Sequence, residues 1–371
     1  MKKHILRVLI SAAILIPCVA LILVAAVLVS GEIAQNEGDE VVEGLIPEDS
    51  DPRPSEPETE ENEKVDIEAA LYEPPKYLFT TEEIEVRIPG LKNEYKIAFV
   101  NDLHMIADYT SGDVTEDNMT TISERREKMF VTADGVTSDV LWPEIIKFLN
   151  YSDFDGVIFA GDMVDYCSNA NILALKQGIN TLKYDKDKIM YLRSDHDYGA
   201  LYGGSGFTEN TSFALQRLVL DGDDDCKGID FDEFVVVGIN QSYRNLSESS
   251  LEILNHQLDQ DKPVILATHV PYYSEIDGSL EPFSLEVKNK VYYWSEDSTS
   301  YVPDERTREF IDRIFAEDSN VKQIVAAHMH ASWNGYVTKD LKQHIFGPSY
   351  EGRIGVIHVT GGKSYEEKQV E

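Results

Sequence analysis

Cysteine and basic residues are both scarce in this chain of 371 residues. It contains 3 cysteines, and because Cys18 lies in an apolar N-terminal run, at most one disulfide can form elsewhere, between Cys167 and Cys226. A disulfide scaffold is therefore excluded, and stability must come from a hydrophobic core. Lys and Arg number 33 against 67 Asp and Glu, a formal net charge of −34. Non-specific binding to DNA or RNA is not expected, since it depends on neutralising phosphates.

The N-terminal region contains an uncharged apolar run, residues 8–29, preceded by three basic residues. At about 1.5 Å per residue, a helix of this length can span the roughly 30 Å hydrocarbon core of a bilayer. The run is longer than the apolar region of a secretory signal, which is about 7–15 residues. Basic residues next to a transmembrane helix remain on its cytoplasmic side. We therefore predict that residues 1–30 form a cytoplasmic tip and a single transmembrane signal anchor in the cell membrane. Pro17 disfavours the alternative, lipoprotein cleavage at Cys18.

An acidic segment follows the apolar run. Between Gly31 and Glu68 the chain carries 15 Asp and Glu against 2 Lys and Arg, with few large apolar residues. Such a segment cannot bury enough apolar surface to offset the entropy of ordering it, and its like charges keep it extended. We predict that residues 31–70 are a disordered tether and that residues 71–371 form one folded domain outside the cytoplasm.

Five short clusters of Asp and His occur in the folded region, and four of them directly follow an apolar run typical of a buried strand. The clusters are Asp102-Leu103-His104, Gly161-Asp162-Met163-Val164-Asp165, Asp195-His196-Asp197, Thr268-His269-Val270-Pro271 and His328-Met329-His330. Near-continuous apolar runs are typical of parallel strands that are buried on both faces. Ligands of open α/β sheets bind beyond the carboxyl ends of the strands, so we expect all five clusters to converge at one edge.

The residue types in these clusters suit divalent metal ions. Imidazole and carboxylate bind Mn, Fe, Zn and similar ions, and two ions about 3.5–4 Å apart can contact both the attacking and the leaving oxygen of a phosphoryl transfer. Two ions held so close need one ligand that binds both ions and several ligands that each bind one ion only. The clusters provide four His and three Asp for this purpose. We therefore predict two divalent metal ions as cofactors.

The order and spacing of the clusters closely resemble those of the calcineurin-like metallophosphoesterase family. The family pattern runs D-x-H, G-D-x-x-D, G-N-H-D/E, a His before a short turn, and G-H-x-H, and the resemblance covers roughly residues 80–362. It implies an α/β fold, a four-layer α-β-β-α sandwich of two mixed sheets with the site between the strand ends. It also implies a metal-dependent phosphoric ester hydrolase.

The resemblance implies two metal sites that share one carboxylate. The first metal would be held by Asp102, His104 and His330. The second would be held by Asp195, His269 and His328. Asp162 would bridge the two ions.

Proton transfer follows from the same assignment. Hydroxide generated at the metals would attack phosphorus in line, because divalent ions lower the pKa of bound water towards neutrality. The leaving oxygen then needs a proton, and His196 would be the general acid because imidazole titrates near physiological pH. The Asp165 carboxylate would orient the ring of His196 and favour its protonated form.

The chain departs from the family pattern at several positions. Asp195 replaces the family's Asn ligand and adds a negative charge, which should tighten metal binding while making the ion a weaker Lewis acid. Ser194 and Ala327 replace the glycines before the third and fifth clusters. Tyr166 stands where protein phosphatases of this family carry a phosphate-binding Arg, and Arg193 is a candidate substitute.

An insertion separates the first two clusters. Residues 139–150 are predicted to form an amphipathic helix, with one face made by Leu141, Ile145, Ile146 and Leu149. Residues 105–138 remain, a polar stretch longer than an ordinary connection, and such long loops are usually functional or disordered. We expect this insertion, together with residues 198–210 and 272–301, to wall the metal site and to select the substrate.

We therefore predict a membrane-anchored, extracytoplasmic, dinuclear metallophosphoesterase that hydrolyses phosphomonoesters or phosphodiesters. Its substrate would be a small phosphoester or a component of the cell envelope. A purple acid phosphatase is an alternative enzyme, but that relative has a metal-bound Tyr where this chain has Asp165. A surface binding module that keeps the fold and metals with little turnover is an alternative of another class, suggested by Asp195. The sequence does not indicate an oligomeric state.

Overall fold

Apolar runs in the sequence form the strands of two β-sheets. The computed structural model describes residues 73–107, 116–199, 219, 226–240 and 245–362. The strands in these ranges are β1 (Thr80–Arg87), β2 (Tyr95–Val100), β3 (Gly156–Ala160), β4 (Ile189–Leu192), β5 (Cys226–Asp230), β6 (Val235–Ile239), β7 (Val264–Thr268), β8 (Val321–Ala326), β9 (Trp333–Tyr336), β10 (Lys342–Ile345) and β11 (Arg353–Thr360). Every residue of β3, β6 and β7 is buried, which is typical of parallel strands covered on both faces.

Both sheets are mixed, as predicted. The first sheet has the strand order β1-β11-β2-β3-β4. In it β2, β3 and β4 are parallel to one another, β11 is antiparallel to β2, and β1 is parallel to β11. The second sheet has the order β5-β6-β7-β8-β10-β9. Its four central strands are parallel, and the edge strands β5 and β9 are antiparallel to their neighbours.

Helices connect the strands and cover the sheets. They are α1 (Glu116–Glu124), α2 (Ser138–Tyr151), α3 (Asn169–Asn180), α4 (Asp195–Tyr198), α5 (Glu248–Leu258), α6 (Leu280–Lys288) and α7 (Glu305–Phe315) in the described part of the chain. A π-helical turn, Arg125–Met129, continues α1, and 3₁₀ turns occur at Lys186–Lys188 and Ser349–Glu351. The predicted helix at residues 139–150 corresponds to α2, and its predicted apolar face is buried.

Alternate residues of the central strands face different layers, because side chains of a strand alternate between its two faces. In β2, Phe99 belongs to the cluster that contains Ile265 of the second sheet, so the two sheets pack face to face. Its neighbour Ala98 packs instead with Ile145 of α2 and with residues of α3. Helices α5 and α7 cover the outer face of the second sheet, for example through Phe310. The predicted four-layer α-β-β-α order is therefore confirmed.

The predicted membrane anchor (residues 1–30) and acidic tether (residues 31–70) lie outside the described residues. None of the helices in the described ranges is both long enough and apolar enough to cross a bilayer. The anchor, the tether and the start of the folded domain at residue 71 therefore stay predictions.

Candidate metal centre

The five clusters lie just past the carboxyl ends of five strands. The first three follow β2, β3 and β4 of the first sheet, and the last two follow β7 and β8 of the second. Parallel strands present their carboxyl ends at the same edge of a sheet. Because the sheets pack face to face, the loops from both edges meet.

The structure brings all seven predicted ligands together in two groups. The first ligand group consists of Asp102, His104, Asp162 and His330. The second ligand group consists of Asp162, Asp195, His269 and His328. Within each group, every residue offers one nitrogen or oxygen atom as a ligand, and these atoms all lie within 4.8 Å of one another. Asp162 belongs to both groups, which is the arrangement that a bridging ligand requires.

The carboxylate of Asp162 stands between imidazoles of the two groups. Its Oδ2 lies 3.5 Å from His104 Nε2 and 3.4 Å from His269 Nε2. The other ring nitrogen of each histidine is already engaged, His104 Nδ1 by Asp165 Oδ1 at 3.0 Å and His269 Nδ1 by the carbonyl of Ala160 at 2.8 Å. These contacts place hydrogen on Nδ1 and leave both Nε2 atoms directed at Asp162, as in metal-binding histidines.

Contacts between pairs of ring nitrogens indicate that the donor set fits cations. His104 Nε2 lies 3.1 Å from His330 Nε2, and His269 Nε2 lies 3.1 Å from His328 Nδ1. Two neutral imidazoles that meet with unprotonated nitrogens present lone pairs to each other, which is unfavourable unless a proton or a metal ion lies between them. Buried carboxylates next to imidazole lone pairs suit Mn, Fe, Zn and similar ions.

The backbone is strained where it carries these ligands. Five of them adopt left-handed φ angles, Asp102 (46°), His104 (47°), Asp162 (51°), His328 (73°) and His330 (53°). Such conformations are costly for residues other than Gly and persist where the surrounding structure holds them, often at functional sites. Two hydrogen bonds between the loops after β2 and β3 hold these conformations in place. The N–H of Asp102 donates to Gly161 O (3.0 Å), and the N–H of His104 donates to Asp162 O (2.8 Å).

Gly161, before the bridging carboxylate, is required on two counts. Its φ of 88° is left-handed, which favours glycine. A Cβ atom at this position would also come within 2.7 Å of His269 Nδ1. The Gly-Asp pair in the second cluster therefore allows the loop after β3 to approach the histidine that follows β7.

Asp197 supports the same loop, a role that the sequence analysis did not give it. One carboxylate oxygen accepts hydrogen bonds from the N–H groups of Asp162 and Ser194, both at 2.9 Å. The other accepts from those of Met163 and Val164, both at 3.1 Å. Burial and the nearby Asp162 charge raise the pKa of Asp197 to about 6.

His196, the predicted general acid, lies beside Asp165. Its Nδ1 is 2.9 Å from the backbone carbonyl oxygen of Asp165 and 3.4 Å from the carboxylate Oδ1. The same carboxylate also contacts His104, so Asp165 links the candidate acid to the first ligand group. The His196 side chain is 25% exposed, whereas that of His104 is 1% exposed.

Arg125 is a further residue at this site that sequence reasoning missed. Its guanidinium donates two hydrogen bonds of 2.7 Å to the Asp165 carboxylate, one to each oxygen. It also lies over the ring of Phe130, at 4.8 Å. Phe130 in turn stacks on His104, with ring centres 4.0 Å apart and planes at 4°. The described part of the insertion at residues 105–138 therefore does form a wall of the site.

A second aromatic wall stands beside the second ligand group. The ring of Tyr292 stacks on His328 at 4.2 Å, and Tyr301 meets the same imidazole edge-on at 5.1 Å. Residues 272–301 therefore also line the site. Of the third expected wall, residues 198–210, the part beyond Gly199 lies outside the described residues.

Tyr166 and Arg193, the residues discussed in connection with the missing phosphate-binding arginine, both contact other side chains. Tyr166, which stands at the family's arginine position, is buried in a small cluster with Ile106 and Ile122 of α1. The guanidinium of Arg193 is placed over the ring of Tyr191 at 5.2 Å, and Tyr191 packs on the helix-covered side of the first sheet.

Burial and charge shift the pKa values of the site histidines in opposite directions. Burial works to lower the pKa of His269, but the carboxylates of Asp162, Asp102 and Asp195 together outweigh it and raise the pKa to about 10. At His196 burial is likewise outweighed by Asp162 and Asp165, and the pKa rises to about 10. Burial prevails at His104 and lowers its pKa to about 4. Without bound metal, protons on His196 and His269 therefore offset the charge of Asp162.

Fold and site together define a metal-dependent hydrolase of the α/β class, and comparison with known families agrees. Residues 95–332 match the model of the calcineurin-like phosphoesterase family. The match covers more than half of the chain, which therefore belongs to this family of metal-dependent phosphoester hydrolases, whose members normally bind two divalent metals. The predicted family and enzyme class are confirmed. No curated protein matches the chain.

Solved structures with a similar fold include a dimetal phosphatase from Danio rerio (11% identity, covering 69% of this chain and 88% of that chain, TM-score 0.39). A purple acid phosphatase from yellow lupin is 14% identical and covers 72% of this chain and 46% of that chain, with a TM-score of 0.42. A phosphopantetheinyl hydrolase from Mycobacterium tuberculosis is 10% identical and covers 69% and 90%, with a TM-score of 0.35. Likeness at this level does not extend to substrate.

Metal affinity should depend on pH because a metal ligand must be a neutral imidazole. With a pKa of about 10, His269 is protonated at neutral pH and must lose its proton on metal binding. We expect the apparent affinity to rise with pH between about 6.5 and 9, by up to about tenfold per unit for each proton displaced. Titration of Mn²⁺ at several pH values measures the slope, and His358→Gln, a change at a surface histidine, should leave it unchanged. A flat profile would contradict the assignment of His269.

Arg125→Met should weaken metal binding by about 10–100-fold, because partners that orient a ligand typically contribute this much. The variant leaves the Asp165 carboxylate without its two guanidinium hydrogen bonds, and Asp165 orients His104. Calorimetric titration of metal measures the loss. Arg126→Met is the matched control, since it removes the neighbouring 2.6 Å ion pair with Asp139 instead. Equal affinity in the two variants would exclude this role of Arg125.

Proposed function

We propose that the chain is a dinuclear metallophosphoesterase, anchored in a membrane with its catalytic domain outside the cytoplasm, that hydrolyses phosphomonoesters or phosphodiesters. The observation that carries the proposal is the position of Asp162, whose carboxylate belongs to both ligand groups. Two adjacent divalent ions require a shared ligand of this kind.

The two ligand groups would hold two ions of Mn, Fe, Zn or a similar metal. The first would be bound by Asp102, His104, Asp162 and His330. The second would be bound by Asp162, Asp195, His269 and His328. When bound, the ions would supply a water of lowered pKa as the nucleophile and would neutralise charge on the phosphoryl oxygens.

His196 would provide the proton for the leaving oxygen. Its Nδ1 faces the carbonyl oxygen of Asp165 at 2.9 Å, so this nitrogen carries a hydrogen. A protonated imidazole has a second N–H at Nε2, which would donate to the leaving group. The Asp165 carboxylate, 3.4 Å from Nδ1, would favour the protonated form of the ring. After transfer, the neutral ring would keep its Nδ1 hydrogen on Asp165.

The binding-module alternative rests on Asp195, because its additional negative charge would weaken the Lewis acidity of the second metal. It predicts that metals bind but phosphoesters are not turned over. Both alternatives predict bound metals, so measuring the hydrolysis of phosphoesters, and not the metal content, distinguishes the enzyme from the binding module.

Asp162→Asn should abolish both metal pairing and turnover, because it removes the shared charge. Since two-metal stabilisation contributes several kcal/mol to the transition state, we expect a loss of about a thousandfold in kcat/KM. The assays are hydrolysis of p-nitrophenyl phosphate and bis-p-nitrophenyl phosphate with added Mn²⁺, together with elemental analysis of bound metal.

Asp230→Asn is the control for this experiment, because Asp230 forms a surface ion pair with Lys262 at 2.7 Å on the edge strand β5. It should keep two metals and full turnover. A wild-type chain that binds two metals without hydrolysing a broad panel of phosphoesters would favour the binding module. An active Asp162→Asn variant would contradict the dinuclear mechanism.

The membrane location rests on the uncharged run at residues 8–29 and the basic residues before it. With residues 31–70 as a tether, the catalytic domain, residues 71–371, would meet small phosphoesters or those of the cell envelope. We expect the full-length chain to fractionate with membranes and its domain to be digested by protease added outside intact cells. A chain starting at residue 31 should be found in the soluble fraction. Protection of the domain in intact cells would contradict the orientation.

A further inference from the structure

Two lysines stand at the C-terminal end of α6, against the aromatic wall of the site. Lys288 is the last residue of the helix, and Lys290 follows after Asn289. Both side chains are half-buried. The ammonium of Lys290 lies 3.8 Å from the centre of the Tyr292 ring, and that of Lys288 lies 5.7 Å from it. Tyr292 also stacks on His328, so its ring links the two lysines to the second ligand group.

The turn that carries these lysines is fixed by hydrogen bonds. Asn289 ends the helix in a left-handed conformation, with a φ of 57° and its N–H donating to the carbonyl of Leu285 at 3.0 Å. The buried hydroxyl of Ser284 donates to the carbonyl of Lys290 at 2.8 Å and accepts from the N–H of Tyr292 at 3.0 Å. The backbone that carries the two lysines is therefore fixed before any ligand arrives, which lowers the entropic cost of binding.

The charge of Lys288 reaches the metal site. Burial lowers the pKa of Lys288, and the carboxylates of Asp102, Asp162 and Asp195 act against that shift. Among the residues that the structure describes, no acidic side chain lies within ion-pair distance of Lys288 or Lys290, and their contact is the ring face of Tyr292. The chain has 67 acidic and 33 basic residues, so two neighbouring lysines without an acidic partner among the described residues are unusual. They indicate a site for an external anion.

We infer that Lys288, Lys290 and Tyr292 form an anion subsite beside the second ligand group, and that this subsite binds a second phosphate group of the substrate. The inference rests on the proposed function, since the first phosphate would be the one hydrolysed at the metals. Ammonium groups bind phosphate through charge-assisted hydrogen bonds. The substrate class is therefore a phosphoester that carries a further phosphate on its leaving group.

Two ligands that differ only in a second phosphate test the subsite, n-propyl phosphate and propane-1,3-diyl bisphosphate. Each ligand is itself a substrate of the proposed enzyme, so its affinity is measured as an inhibition constant, from competition with p-nitrophenyl phosphate in initial-rate assays of the metal-loaded full-length chain in detergent. We expect the bisphosphate to bind about tenfold more tightly or better, which corresponds to about 1.4 kcal/mol at 25 °C. The double variant Lys288→Met/Lys290→Met should lose that preference and keep its affinity for n-propyl phosphate.

Lys342→Met is the matched control, because the ammonium of Lys342 also lies over a tyrosine, Tyr336, at 5.0 Å, but at the amino end of β10. It should keep the preference, and so should Lys288→Arg/Lys290→Arg, which retains both charges and reports on the subsite if the Met variant fails to fold. A wild-type chain without the preference, or a Met variant that retains it, would overturn the subsite. Hydrolysis of the p-nitrophenyl esters, measured in parallel, reports on the metal centre alone, so its absence in the wild type contradicts the proposed function instead.

Discussion

The centre depends on one buried carboxylate, Asp162, which has to be surrounded by positive charge. Burial alone would raise its pKa, but the charges of His269 and His196 outweigh burial and hold the pKa well below its usual range. An ionised carboxylate at 2% exposure is costly unless it is paired. Protonated imidazoles provide that pairing in the absence of metal, and divalent ions would provide more charge at the same place. The requirement explains why imidazoles from both sheets meet at this one side chain.

The rest of the fold brings those imidazoles close enough. Parallel strands end at a common edge, but the ligands after β2, β3 and β8 reach one another only through left-handed backbone at Asp102, Asp162 and His328. Gly161 lets the loop after β3 pass next to His269, and the Asp197 carboxylate satisfies the N–H groups that the sharp turn leaves exposed. Hydrogen bonds and the packing of the two sheets thus hold the strained backbone in place. Strained loops at functional sites usually persist for this reason.

Residues that directly follow a strand could be predicted from the sequence, because an apolar run fixes both the strand and the edge at which it ends. Four of the five clusters belong to this kind, and the third follows β4 after two residues. Helix α2 could be predicted equally well from its 3.6-residue period. Arg125 and Lys288 could not be predicted, since each lies in a helical segment and its contacts depend on how that segment packs. Arg193 was suggested as a phosphate ligand by its closeness to the third cluster along the chain, and that role stays a prediction; its guanidinium lies over the ring of Tyr191.

Asp195 and Lys288 change the charge of the centre in opposite directions. An aspartate in place of the family's asparagine binds a metal ion more tightly, but its negative charge lowers the Lewis acidity of that ion. Lys288 lies within electrostatic range of Asp195 as well as of Asp102 and Asp162, so its ammonium offsets the added charge where an anionic substrate would approach. With a tyrosine at position 166, the loop after β3 also lacks the phosphate-binding arginine that protein phosphatases of this family carry there. A cation supplied from α6 would serve both needs, because charge acts through space and does not depend on which segment of the chain supplies it.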